Sequence, residues 1–267
     1  MLREPAVAGS FYPGTARQLR ADLGNYLAGA RHDRDYLGLV VPHAGYIYSG
    51  AIAALAYKEA QIPRSVLLLG PNHTGLGARV ALYPAGSWRT PLGETPIDEN
   101  LSSELLEGCP VLEADTAAHR FEHSIEVQVP FLQMLREDLR ILPITLGRGT
   151  LDDWLTLGQQ IGAVLKQRDE RTLLIASSDM NHFKPAAYTE QVDRLAIERM
   201  ESFDPAGLFH TVWEKDISMC GVIPAVIMLE ATRILGGSSC HLIGYGHSGL
   251  VNGDLDSVVG YAALGVE

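Results

Sequence analysis

The chain has 267 residues, which at roughly 150 residues per domain means one large domain or two small ones. Hydrophobic residues make up 46% of it and 27 glycines add to that apolar share, a composition that excludes an intrinsically disordered chain. With 21 Lys and Arg against 32 Asp and Glu the net charge is -11, which repels phosphate backbones and anionic headgroups, so nucleic acid and membrane surfaces drop out as partners.

Taken in chain order, the elements alternate. Residues 15–28 have helical spacing, with Leu19, Leu23, Tyr26 and Leu27 on one side and Gly29 as a stop. Residues 36–41 are a short apolar run ending at Pro42, a buried strand; 50–60 are Ala-rich and helical. Residues 66–69 form a second buried strand closed by Gly70-Pro71, and 79–83 a weaker third strand that leads into a Gly/Pro-rich loop, 84–96. Asp98 caps a helix over 99–107. Residues 124–135 have a partly helical pattern that Pro130 should bend or interrupt. A strand follows at 140–146, a helix at 151–166 and a strand at 172–177. Helices are expected at 188–203, 206–213 and 222–235, and closing strands at 241–245 and 257–264. Short apolar strands between helices predict a sheet covered on both faces. No repeat or polar linker divides the chain, so residues 1–267 are read as one α/β domain.

No apolar run reaches the roughly 18 residues that span a bilayer, and the first ten residues lack the apolar core of a secretory signal. Cys109, Cys220 and Cys240 are odd in number and have no C-x-x-C spacing, which excludes a zinc ribbon and argues against a disulfide framework. The expectation is a soluble cytoplasmic protein. The residues leave its oligomeric state open.

In open α/β sheets, ligands gather at the carboxyl ends of the strands. Three such exits carry a histidine beside Gly, Pro or Asn: Val41-Pro-His43-Ala-Gly, Gly70-Pro-Asn-His73-Thr-Gly and Ser178-Asp-Met-Asn-His182. Two more groups join them. His119 and His123 flank Glu122, and Cys220 stands just before an apolar helical run, where the helix dipole should favour its thiolate. Imidazoles, a thiolate and a carboxylate in one cleft suit Fe(II), Cu or Zn rather than Mg or Ca.

The strings His43-Ala-Gly-Tyr46, Gly70-Pro-Asn-His73, Glu122-His-Ser-Ile-Glu126, Ser177-Ser-Asp-Met-Asn-His182, Cys220-Gly221 and Ser257-Val-Val-Gly-Tyr-Ala-Ala-Leu-Gly265 resemble the Memo family, in the same order and over nearly the whole chain. That family is similar in fold to the catalytic subunit of class III extradiol (LigB-type) dioxygenases, which open catechol rings with Fe(II) and O2. The resemblance therefore implies an α/β sandwich with a central mixed sheet flanked by helices. It implies that His43 and His73 match the two iron-binding histidines, and that Cys220 falls where those dioxygenases carry a metal-binding glutamate. It further implies His182 as acid/base, His123 as a substrate contact and Asp179 as a pocket residue of the Ser-Ser-Asp motif. Prokaryotic members resemble the B component of the AmmeMemoRadiSam system, which implies a radical-SAM protein as a partner.

Each residue also has a plainer reading. His43 and His73 could be loop histidines bonded to backbone, with Asn72 orienting His73. Cys220 could be a small buried hydrophobe. His182 could cap the following helix, Asp179 could form a turn, and His123 could accompany Ser124 at an N-cap. Glu122 and Glu126 read as a solvated helix face, and Gly45, Gly70 and Gly75 as turn formers. His32, His210, His241 and His247 have no supporting context. Three functions follow. The first is a redox enzyme with Fe(II), or else Cu or Zn, held by His43, His73 and Cys220 and acting on a small-molecule or peptide ligand. The second is a non-catalytic binding or scaffold protein with a vestigial site. The third is a zinc hydrolase with Glu122 or Asp179 as base.

Overall fold

The computed structural model describes residues 1–267. Its elements in order are β1 (Leu2–Arg3), α1 (Ala16–Tyr26), β2 (Gly38–Val41), α2 (Tyr46–Glu59), β3 (Ser65–Pro71), β4 (Val80–Leu82), β5 (Ser87–Thr90), β6 (Gly93–Pro96), α3 (Glu99–Gly108) and β7 (Glu113–Ala114). A 3-10 turn (Glu126–Gln128) then runs into α4 (Val129–Leu135). After it come β8 (Arg140–Leu146), α5 (Leu151–Lys166), β9 (Thr172–Ser177), β10 (His182–Lys184), α6 (Ala186–Glu201), α7 (Pro205–Glu214), α8 (Val222–Ile234), β11 (Cys240–His247), α9 (Gly249–Asn252) and β12 (Val258–Val266).

The large sheet runs β10-β12-β2-β9-β3-β8-β4-β7, with β11 also paired to β12. Its centre, β2-β9-β3-β8, is parallel, while β12 joins β2 and β4 joins β8 antiparallel, so the sheet is mixed as expected. Every residue of β2 and β3 is buried, which is why those strands read as unbroken apolar runs rather than alternating ones. One cluster of 66 buried apolar residues extends from Tyr12 to Val266.

Local chemistry sets the helix ends. Thr150 accepts from the Asp153 N–H while the Asp153 carboxylate accepts from the Thr150 N–H, a reciprocal cap that starts α5 at the expected residue. Asp98 accepts from the Leu101 N–H and starts α3. α5 lies against α8 because Gly158 and Gly162 face it. A Cβ at Gly162 would stand 2.7 Å from the Ala231 carbonyl oxygen.

Four sequence expectations change. Residues 84–96 hold the β5–β6 hairpin, whose Ser87–Thr90 and Gly93–Pro96 pair in a second small sheet with β1. Pro130 sits in the first turn of α4, where no intrahelical N–H is needed, so it opens the helix and does not bend it. α2 begins at Tyr46, four residues before the Ala-rich stretch that signalled it, because Gly45 ends the β2 exit turn there. His182 lies in β10 and does not cap α6, whose N-cap is Pro185. No helix is long and apolar enough to cross a membrane.

Candidate metal centre

The site lies at the carboxyl ends of the central parallel strands. His43 follows β2 by two residues and His73 follows β3 by two, while Ser177 closes β9 and Asp179 comes two later. The loop between β7 and the 3-10 turn brings Glu122 and His123, and the turn before α8 brings Cys220. Two glycines permit this convergence. A Cβ at Gly70 would stand 2.6 Å from Ile125 and 2.7 Å from Ser124 Oγ, so the 122–126 loop closes on β3 only because position 70 is bare. A Cβ at Gly221 would stand 2.3 Å from the Ser177 carbonyl oxygen, so only glycine lets the Cys220 turn approach β9. Gly70 is thus a close-approach position within β3 rather than a turn former; Gly75, with φ of 67°, does serve a turn.

One ring nitrogen from each of His43, His73 and His123 lies within 4.8 Å of the others. The His73 and His123 rings stack at 4.7 Å between centroids, and His43 meets both edge-on at 5.4 Å. Cys220 Sγ is 3.2 Å from His43 Nε2 but is not one of this group, in which His123 is the third residue with His43 and His73.

Proton bookkeeping fixes which nitrogens are free. Ser177 Oγ donates its one proton to the Ser124 carbonyl at 2.6 Å and accepts from the Gln128 amide at 2.8 Å. Its 2.9 Å contact with His43 Nδ1 is therefore an N–H donated by the imidazole, which leaves the His43 Nε2 lone pair facing Cys220 and the trio. His73 Nδ1 donates to Glu122 Oε1 at 2.9 Å, again leaving Nε2 as a lone-pair donor. Burial pushes the His43 imidazole well below its usual range, reinforced by the neighbouring His123 and His73, and burial likewise lowers His123 and His182. Burial thus favours the neutral form of all three, the form a metal requires of His43 and His123.

Glu122 organises this side of the pocket. Its Oε2 accepts from the His73 backbone N–H at 2.6 Å, and its Oε1 from the N–H groups of His123 and Ser124 at 3.0 Å each. Burial alone would raise the carboxyl, but the hydrogen bonds and the adjacent imidazoles hold it down at about 2. Glu122 and Glu126 are each only 1% exposed, so neither forms the solvated face expected of them. Asn72 does not orient His73. Its amide donates to the Leu76 carbonyl and its oxygen accepts from Thr74 and Gly75, closing the loop on itself.

Asp179 clamps the opposite side. Its Oδ1 accepts from the backbone N–H groups of His43 at 2.7 Å and Ala44 at 3.2 Å, and its own N–H points at Cys220 Sγ at 3.3 Å. Burial pushes its carboxyl up to about 7 against those N–H groups. The Cys220 thiol is pushed up, by burial first and by Asp179 second, so the helix-dipole expectation of a stabilised thiolate does not hold. Cys220 precedes the cap residue Gly221, and desolvation outweighs the partial charge of α8. A thiol in this position ionises only when a cation takes its proton's place.

Ser218 holds His182 at two points. Its backbone N–H donates to Ser218 Oγ at 2.7 Å and its Nδ1 to the Ser218 carbonyl at 2.9 Å, leaving Nε2 as a free proton acceptor. A cavity of about 420 Å3 is lined by His123, Asp179 and His182 together with Phe11, Tyr48 and Tyr261. Phe183 stands at its mouth, 73% exposed and with φ of 58°, a left-handed backbone that an aromatic residue adopts at a cost of about 1–2 kcal/mol. Two larger depressions of about 790 and 780 Å3 elsewhere on the surface hold no histidine. Ser177, quoted only as part of a motif, and Ser218 were not singled out from the sequence; Glu122 was weighed as a hydrolase base and as a solvated helix face, not as the acceptor that holds His73.

A family model described as Memo-like protein matches residues 3–265. A MEMO1 family protein of Methanopyrus kandleri is 41% identical over 99% of this chain and 98% of its own. Members from Methanosarcina mazei, 39% identical over 100% and 99%, and Aquifex aeolicus, 40% identical over 98% of both chains, are similar to the same degree. The crystal structure of an uncharacterized Escherichia coli K12 protein superposes with a TM-score of 0.57 at 14% identity, over 86% of this chain and 99% of that one, a likeness of fold alone. Motifs, length and pairwise identity agree from one end of the chain to the other, and the chain belongs to the Memo family.

Proposed function

We propose that this pocket holds one redox-active metal ion, Fe(II) in preference to Cu or Zn, and acts on a small-molecule or peptide ligand bound in the adjoining cavity. The observation that carries the reading is the convergence of His43, His73 and His123 within 4.8 Å, with the Nδ1 atoms of His43 and His73 engaged by Ser177 and Glu122 and with Cys220 Sγ beside His43 Nε2. Nitrogen and sulfur donors of this kind fit iron, copper and zinc and do not fit Mg or Ca. Bound there, iron or copper would supply Lewis acidity and electron exchange with O2, as in the extradiol dioxygenases the family resembles.

The residues around it have distinct tasks. His182 takes up a proton at Nε2, since its Nδ1 proton is committed to Ser218. Asp179, with its carboxyl near 7, holds the His43 turn and exchanges a proton at neutral pH. His123 belongs to the trio and also lines the cavity, placed to touch the ligand. No Lys or Arg lines the cavity, so recognition falls to aromatic walls and hydrogen bonds. The protein partner in this reading is a radical-SAM component.

The test is metal content, by elemental analysis of protein purified without air or chelators, beside Cys220→Ser and His123→Ala. Stoichiometric iron or copper in the wild type, lost in Cys220→Ser, supports the reading. No metal in any of them after anaerobic reconstitution overturns it and leaves the scaffold reading in its place. A zinc hydrolase is the second reading, favoured by the approach of three imidazoles, His43, His73 and His123, a set that also serves catalytic zinc, with Asp179 as base. Zinc lost in His123→Ala but kept in Cys220→Ser, with hydrolysis active only on zinc, would establish it.

A further inference from the structure

Arg3 is 5% exposed and 119 residues from Glu122 along the chain, yet it is bonded to the loop that carries Glu122 and His123. Its Nη2 donates to the Glu122 carbonyl, its Nε to the His119 carbonyl and its Nη1 to Glu126 Oε2, each at 2.7 Å. The guanidinium lies 4.1 Å over the Trp88 ring, which holds its plane. All of these acceptors belong to one short stretch, 119–126, so a single planar fork sets the path of the metal-site loop.

Glu126 completes the arrangement from the other side. Its Oε2 also accepts from the Ala6 N–H at 2.7 Å, and its Oε1 from Val7 N–H at 3.0 Å and Tyr12 Oη at 2.6 Å. These bonds strap residues 3–12 across the site. Phe11, held in the strap, packs on the His123 ring at 4.7 Å between centroids, and its carbonyl accepts from the Tyr46 N–H, just beyond His43-Ala-Gly. The strap therefore touches both the His123 loop and the His43 turn.

We infer that Arg3 and Glu126 are positioning residues for the metal centre: through the strap of residues 3–12 they fix where Glu122 and His123 stand, and so set the affinity for metal without touching it. The inference rests on the metal-centre reading above. A buried ion pair that served stability alone would need no bonds to the carbonyls of His119 and Glu122. Here two of the three guanidinium bonds go to that loop's backbone.

The test is Zn(II) titration of the whole chain against a chromophoric chelator, beside thermal melts, for wild type, Arg3→Lys, Tyr12→Phe and Leu165→Ala. Arg3→Lys keeps the charge but cannot span three acceptors. Its Zn(II) affinity should fall about 10- to 100-fold, the range for losing a group that orients metal ligands. Tyr12→Phe removes one hydrogen bond to Glu126, keeps the ring, and should lose several-fold. Leu165→Ala, in α5 far from the strap, should lower the melting temperature and leave Zn(II) affinity unchanged. Wild-type affinity in folded Arg3→Lys, or in Tyr12→Phe should the former not fold, overturns the inference. A wild type that binds no Zn(II), Fe(II) or Cu overturns the metal-centre reading itself.

Discussion

His73 and Glu122 meet twice: the His73 ring donates to Oε1 at 2.9 Å and its backbone N–H to Oε2 at 2.6 Å. The same carboxylate thus fixes where the chain at residue 73 runs and which ring nitrogen carries the proton. Losing it would free both.

Glu122→Gln should lower metal affinity about 10- to 100-fold, because one amide cannot accept from four N–H groups and its own NH2 faces donors. Competition titration reads this directly. Unchanged affinity would show that Glu122 only holds the loop.

Ser177→Ala should strand the His43 Nδ1 proton and remove the hydroxyl that donates to the Ser124 carbonyl, each at about 1–3 kcal/mol, while the Gln128 amide keeps the Pro42 and Val41 carbonyls. In 15N spectra of histidine-labelled, metal-free protein, the wild type should show His43 protonated at Nδ1, and the variant a mixture of tautomers. A single unchanged tautomer in the variant would remove Ser177 from that role.

His119 predicts acid lability. It is fully buried, donates Nε2–H to the Ala81 carbonyl at 3.0 Å, and its Nδ1 has no partner to receive a proton. Burial first and Arg3 second lower its pKa to about 3. The unfolded chain binds a proton near 6.5 and the folded one does not, so stability is full above pH 6.5 and falls as pH drops toward 3. The slope is about 1.4 kcal/mol per pH unit within that window. Denaturant melts from pH 7.5 to 4.5 should show a pH slope in His119→Gln that differs from the wild-type slope by about this amount, since His43, His123, His182 and Asp179 contribute equally to both proteins. Equal slopes would assign the acid lability to other groups.

Gly221→Ala should destabilise the fold by about 1–3 kcal/mol or more, since the new methyl meets backbone, the Ser177 carbonyl, which cannot swing away. The same shift should draw Cys220 from His43 and weaken Zn(II) binding. A variant with wild-type melting and wild-type binding would contradict the close approach.

Short-range chemistry made the helices at 151–166 and 99–107 and the strand at 172–177 readable, because caps and apolar runs act within a few residues. The hairpin at 87–96 was missed because its two strands are only four residues each and largely polar, so no apolar run marks them, and Leu2–Arg3, which completes their sheet, is far away in the chain. His43, His73 and Asp179 were found by their place at strand exits. Their company could not be found that way. Asn72 is the sequence neighbour of His73, whereas the group that orients it is Glu122, 49 residues on.

By itself, the sequence determined an α/β chain of the Memo family with histidines at the exits of its parallel strands, since hydrophobic period, caps and Gly/Pro turns are local properties. Only the tertiary structure decided the protonation and setting of those groups. Desolvation depends on what packs around a side chain, so it keeps Cys220 a thiol where the helix dipole argued for thiolate, and lifts Asp179 to about 7. Hydrogen bonds between residues 40 to 140 apart engage the Nδ1 atoms of His43 and His73 and bring Arg3 to the loop of Glu122 and His123.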